Sequence, residues 1–176
     1  MTPDQQRLAF ALVLVPGRGR AVSPEEFRER AGVDDPREWA LEQLRAAIWQ
    51  EDGDDAEAAL VVGAVFGRDR RWADCYVQLL ESDWHVLHEG AAQGLGGLGN
   101  ADAVSALVHA AHWVPEYLEF DEARALAVKA IHSLGRIPGP EAEAALRDLL
   151  EHEDHDLRAR TRRVLDRRVL EPPASR

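Results

Sequence analysis

The chain has 176 residues, 45% of them hydrophobic and 30% charged, and a net charge of -11 at neutral pH. That length and apolar share suit a single domain with a real core. Alanine fills 28 positions and leucine 21 while aromatic residues are only 6%, a helix-former's composition that excludes an all-β fold and a disordered chain.

The acidic balance opposes binding to phosphate backbones and anionic membranes, and favours capture of a basic partner. Lys129 is the single lysine among 21 basic residues. Cys75 is the single cysteine, so no intrachain disulfide is available, as suits a reducing cytoplasm. The longest apolar run, Leu8 to Val15, is too short to span a bilayer. Asp4 ahead of it, and Arg18 and Arg20 behind it, do not suit a signal peptide. The expected location is cytoplasmic, with neither nucleic acid nor membrane as partner.

In chain order, the first helix is expected over Pro3 to Val15, ended by Pro16-Gly17. Ser23-Pro24-Glu25-Glu26 forms a capping box that opens a short helix, and Asp35-Pro36 opens a longer one reaching Gln50. Trp39, Leu41, Leu44, Ala47 and Ile48 give that helix its apolar face. Glu51 to Asp55 is expected as a solvated loop, because the spacing and terminal glutamate of a calcium loop are absent.

Beyond residue 55 the chain repeats. Ala91-Ala-Gln-Gly-Leu-Gly-Gly-Leu-Gly99 aligns with Ala127-Val-Lys-Ala-Ile-His-Ser-Leu-Gly135 at an offset of 36, and Ala106-Leu107 answers Ala145-Leu146 at 39. Weaker copies lie at Ala59 to Gly67 and Asp156 to Leu165. A period in the mid-thirties, with each unit a helix pair stopped at Leu-Gly, is the pattern of an α-solenoid. The stop glycines suit left-handed helix ends. Helix pairs should turn near residues 82–84, 113–120 and 151–155. Leu95, Leu98, Leu107, Ile131, Leu134, Leu146 and Leu165 are the expected core.

Glu122 to Gly135, the following Pro-Gly-Pro-Glu-Ala-Glu-Ala-Ala-Leu146 and Asp154-His-Asp-Leu-Arg158 resemble bacterial HEAT-like repeats over about residues 55 to 170. The resemblance implies an all-α fold, a short right-handed α-solenoid of HEAT-like helix pairs, with residues 1–50 as an N-terminal helical cap within one domain. It says little of function, since such folds host scaffolds, regulators and a few enzymes. Small acidic proteins of this kind include immunity proteins that neutralise bacterial toxins. The alternative implied by the family is a metal- or cofactor-handling enzyme, like its His-Glu di-iron hydroxylases or bilin lyases.

Six of the seven histidines form i,i+3 pairs: His85/His88, His109/His112 and His152/His155. Such pairs could share a metal. His88-Glu89 resembles the hydroxylase dipeptide, and these two would be the ligands if a metal bound. The next repeat has Arg124-Ala125 at the matching place, and one motif does not build a dinuclear site, so no metal, no cofactor and no catalytic residue are expected. Local electrostatics is the alternative, with His109 near Asp148 and His112 near Glu151. Cys75 suits a buried small hydrophobe better than a nucleophile. Gly94 to Gly99 ends a helix rather than opening one, so it offers no phosphate cradle. Arg158, Arg160, Arg162, Arg163, Arg167 and Arg168 make the last helix basic, and arginine near a helix C-terminus is the plainer account than a nucleic-acid groove.

Trp113-Val-Pro-Glu-Tyr-Leu-Glu-Phe-Asp121 is longer than a repeat turn needs and mixes aromatics with carboxylates. It is either a contact surface or a plug between helices. Trp84, expected to open the preceding second helix, lies on the same side. The expected function is therefore non-enzymatic binding of another protein with a basic surface, through Trp84, Trp113, Glu116, Tyr117, Glu119, Lys129 and His132. The repeat register makes one immediate prediction. Truncating Ile131 to Ala should cost about 2–5 kcal/mol in a thermal or denaturant melt, as other large-to-small core changes do.

Overall fold

The computed structural model describes residues 1–171 and 173. The described chain is all-α: ten α-helices, short 3-10 turns and no strand. It forms two compact units, Met1–Cys75 and Tyr76–Arg176.

The N-terminal unit holds α1 (Pro3–Ala11), α2 (Pro24–Ala31), α3 (Pro36–Gln50), α4 (Gly53–Phe66) and the start of α5 (Ala73–Glu81). Thr2 and Ser23 close capping boxes with Gln5 and Glu26, and Asp35 accepts from the Arg37 and Glu38 N–H groups. α3 packs along α4, and α1 contacts both α2 and α4. Phe27, fully buried, meets Trp39 edge-on and Phe66 at a tilt. Trp72 lies against Gly63, where a Cβ would come within 2.3 Å of its ring.

Two expectations fail here. α1 stops at Ala11, short of Val15. Pro16 has no N–H and disfavours helix before it; the Ala11 carbonyl instead accepts from Ala21 and Val22, and Leu12 from Arg20 Nε. The acidic stretch Glu51 to Asp55 is also mostly helix. Asp52 caps α4, and Asp54 and Asp55 sit in its first turn, where carboxylates meet the positive end of the helix dipole.

The C-terminal unit holds the rest of α5, then α6 (His88–Leu98), α7 (Val104–His112), α8 (Ala125–Leu134), α9 (Pro140–Asp148) and α10 (His155–Leu170). The breaks between α5 and α6, α7 and α8, and α9 and α10 fall where the sequence placed its turns. α8 packs on α6 and on α10, and α7 packs on α8 and α9. Leu95, Leu107, Ile131, Leu134 and Leu146 are fully buried. Leu98 and Leu165 are only half-buried. The face that α10 buries is Leu157, Thr161 and Val164, so Val164 takes the place expected of Leu165.

Glycine sets the helix spacing. A Cβ on Gly96 would lie 2.7 Å from Ser133 Cα, and one on Gly135 would lie 2.5 Å from Val164 Cγ1. Gly99 ends α6 in left-handed geometry (φ 66°), as expected. Gly135 does not: its φ is -60°, because the chain continues into hydrogen-bonded turns at Arg136 and Ile137. Its role is the close approach of α10. Arg168 then reaches from α10 to donate to the carbonyls of Leu134, Gly135, Ile137 and Gly139 at 2.7–3.3 Å. Arginine at a helix C-terminus is thus realised on α8.

The turns that precede α6, α8 and α10 share one device. His85 Nδ1 accepts from Leu87 N–H at 3.0 Å, Asp121 Oδ1 from Ala123 N–H at 3.1 Å, and His152 Nδ1 from Asp154 N–H at 2.9 Å. Each is a side-chain acceptor for the N–H two residues on, the Asx-turn pattern. The glycine contacts give a matched test within one helix. Gly96→Ala should destabilise by about 1–3 kcal/mol through overpacking. Gly90→Ala, whose Cβ meets nothing within 4 Å, should be neutral or stabilise by up to about 1 kcal/mol; chemical denaturation of both variants measures the contrast.

Candidate functional site: an aromatic cleft

Two connections of the C-terminal unit meet at one cleft. The α5–α6 link, residues 82–87, brings Asp83, Trp84, His85 and Val86; the α7–α8 link brings Trp113, Pro115, Glu116 and Tyr117. The cleft encloses about 600 Å³, within the range of small-ligand and side-chain pockets. Proline at 115 ends the helical course of α7, and a single 3-10 turn at Glu116–Leu118 then presents Tyr117.

His88, the first residue of α6, organises this cleft. Its ring is fully buried. Nε2 lies 2.6 Å from the Ser82 carbonyl, which can only accept, so Nε2 carries the ring proton. Nδ1, 3.1 Å from the Tyr117 hydroxyl, is then an acceptor and Tyr117 the donor. Burial lowers the His88 pKa and raises that of Tyr117, which keeps both groups neutral and this polarity intact. Rings continue outward on both sides. Trp84 meets His85 edge-on at 4.5 Å, His85 lies 4.5 Å from His88, His88 meets Trp113 at 4.9 Å, and Trp113 stacks on His109 at 5.6 Å.

This arrangement answers whether the long connection is a surface or a plug. Tyr117 is fixed at its hydroxyl, yet 41% of the residue is exposed. Trp84 and Trp113 are half-buried, and Phe120 is 92% exposed. The anchoring is internal, while Trp84, Trp113 and Tyr117 keep part of their surface accessible at the cleft. Trp84 does not open a helix, because α6 begins at His88; it lies in the link ahead.

The seven residues expected to bind a partner separate. Trp84, Trp113, Glu116 and Tyr117 line the cleft. Glu119 is exposed on the turn beyond it and does not line it. Lys129 and His132 belong to α8, and His132 lines a different cavity with Gly96 and Arg167. Sequence reasoning missed Asp83 and Val86 as lining residues. The helix break at Ser82-Asp83 was the available signal.

The remaining histidine expectations resolve individually. His109 stacks on Trp113 and His112 on His152; among the described residues neither forms an ion pair with Asp148 or Glu151. Near-parallel ring stacking, at interplanar angles of 24° and 20°, takes the place of the expected carboxylate contacts. His88 spends both ring nitrogens on Ser82 and Tyr117, so the His88-Glu89 dipeptide has no free imidazole lone pair. No group of three or more His, Cys, Asp or Glu residues able to hold a metal occurs among the described residues. Cys75 is buried, and burial pushes its thiol pKa up. No helix among the described residues is long and apolar enough to cross a membrane. Comparison with known proteins finds no matching family model and no significant match to a curated protein or a solved structure.

The buried histidines make stability depend on pH. Burial and the neighbouring His88 depress the His85 pKa from 6.5 to about 4. The unfolded chain therefore takes up a proton that the folded chain refuses. The contribution is complete above the unfolded pKa and is lost as pH falls through the window from 6.5 to about 4. The melting temperature should fall across that window, by the equivalent of roughly 1–3 kcal/mol. His85→Asn keeps an acceptor for the Leu87 N–H but does not titrate, and should flatten the profile.

Proposed function

We propose that this chain is a non-enzymatic protein-binding module, a short right-handed α-solenoid of HEAT-like helix pairs that grips a basic side chain of its partner in the aromatic cleft. The repeat reading draws support from the packing of α8 on both α6 and α10. An immunity protein that neutralises a bacterial toxin with a basic surface is the biological role we assign to this architecture.

One observation carries the binding proposal: Trp84, Trp113 and Tyr117 line a single cleft together with Asp83 and Glu116. Aromatic faces attract a guanidinium or ammonium group, more strongly where water is excluded. Carboxylates beside them steer and pair with the same cation. Tyr117 is already held by His88, so little rotamer entropy is lost on binding. The net charge of -11 adds long-range attraction that salt would screen.

A short arginine-containing peptide, with an alanine peptide as control, tests the recognition directly. Saturable changes in the indole signals of Trp84 and Trp113 are expected with the arginine peptide alone. Tyr117→Ala should weaken binding by about 1–3 kcal/mol, and reversing Glu116 and Glu119 to Lys should slow association and blunt its salt dependence. Equal binding by the folded variants and the parent would overturn the proposal.

A further inference from the structure

A second cavity, of about 530 Å³, lies where the C-terminal ends of α6 and α8 meet the last turns of α10. Its wall is glycine backbone and apolar side chain, chiefly Gly96, Gly97, Leu98, Pro138 and Val164. The rest of the lining is strongly cationic. Arg136 and Arg167 are exposed at it, with His132 beside them. Burial depresses the His132 pKa, and so do the charges of Arg167, Arg160, Arg136 and Lys129. Among the described residues, none of these four cations forms an ion pair. Glu171 is the one carboxylate among the described lining residues.

The helix ends do not use up this charge. The α8 terminus is served by Arg168, which donates to the Leu134, Gly135 and Ile137 carbonyls, and α6 closes on itself through Gly99 N–H to Leu95 O. Arg136 and Arg167 are therefore left facing a cavity in a chain that is otherwise acidic. Like charges gathered in excess of counter-charge repel one another, and an anion among them relieves that cost.

We propose that this cavity binds a small organic phosphate. The phosphate sits among Arg136, Arg167 and His132, where guanidinium groups supply charge-assisted hydrogen bonds. A flat, largely apolar body lies over the Gly97 backbone and Val164. The absent side chain of Gly97 leaves room for it, since a Cβ there would meet no protein atom within 4 Å. The site is separate from the aromatic cleft and stands whether or not that cleft holds a basic side chain.

Titration calorimetry with adenosine monophosphate, inorganic phosphate and adenosine as probes tests this on the intact chain, alongside an NMR pH titration of His132. Adenosine monophosphate should bind saturably, with Kd at or below about 1 mM, and should raise the His132 pKa by neutralising its cationic neighbours. Arg136→Gln and Arg167→Gln should each weaken binding about tenfold. Both residues are exposed, so an unchanged melt would show the fold intact. Gly97→Leu should weaken adenosine monophosphate while sparing inorganic phosphate, since it fills only the apolar part. The proposal is overturned if no saturable binding occurs up to about 10 mM, or if sodium chloride at matched ionic strength moves His132 equally. It is also overturned if the arginine variants bind as the parent does. Tighter binding of a single-stranded oligonucleotide of about ten residues would overturn it in favour of a nucleic-acid groove.

Discussion

Close helix approach, set by residues that lack side chains, is the constraint on which the C-terminal unit depends. Gly94 admits the Tyr76 ring within 2.5 Å of where a Cβ would stand, Gly96 admits Ser133, and Gly135 admits Val164. Each glycine gives up helix propensity and in return lets a neighbour pack at backbone distance. Both clefts inherit their geometry from these contacts. α6 is seated between Tyr76 and α8, which fixes His88 at its N-terminal end beneath the long connection. Its glycine-rich C-terminal end is left as the wall of the cationic cavity.

The two clefts differ in how their polar groups are held. In the aromatic cleft the order runs inward: a backbone carbonyl fixes the His88 tautomer, the tautomer fixes the Tyr117 hydroxyl, and part of that residue is what remains exposed. Every buried polar atom in that chain has a partner, so the rigidity carries little desolvation cost. In the cationic cavity Arg136 and Arg167 form no ion pair among the described residues. The His88–Tyr117 relay uses both of its ring nitrogens, whereas Arg136 and Arg167 keep unused hydrogen-bonding capacity.

Much of the fold was legible because its signals are local. Capping residues at Ser23 and Asp35, proline at the first helical position and apolar periodicity each report on a few adjacent residues, and the helices they start are found there. The 36-residue register placed Leu95, Ile131 and Leu134 in the core. Its failures came where a tertiary contact chose between near-equal options. Val164 and Leu165 are adjacent apolar residues, and it is Val164 that turns inward, against Gly135. The site was legible in composition but not in partnership. Aromatics and carboxylates over 113–120 suited a surface or a plug equally, whereas nothing local showed that His88 would hold Tyr117, 29 residues away. The histidine pairs looked like metal ligands because spacing reveals which rings share a face and not what occupies their nitrogens.

The turn shared before α6, α8 and α10 constrains the chain through an atom rather than through a residue type. The geometry asks only for a lone pair two residues ahead of a backbone N–H. An imidazole supplies it at His85 and His152, and a carboxylate supplies it at Asp121. To a comparison that scores residue identity, histidine against aspartate is a mismatch. To the backbone the two are the same part. His, Asp, Asn, Ser and Thr all offer such a lone pair, so the turn asks for an acceptor at one position and leaves open which residue supplies it.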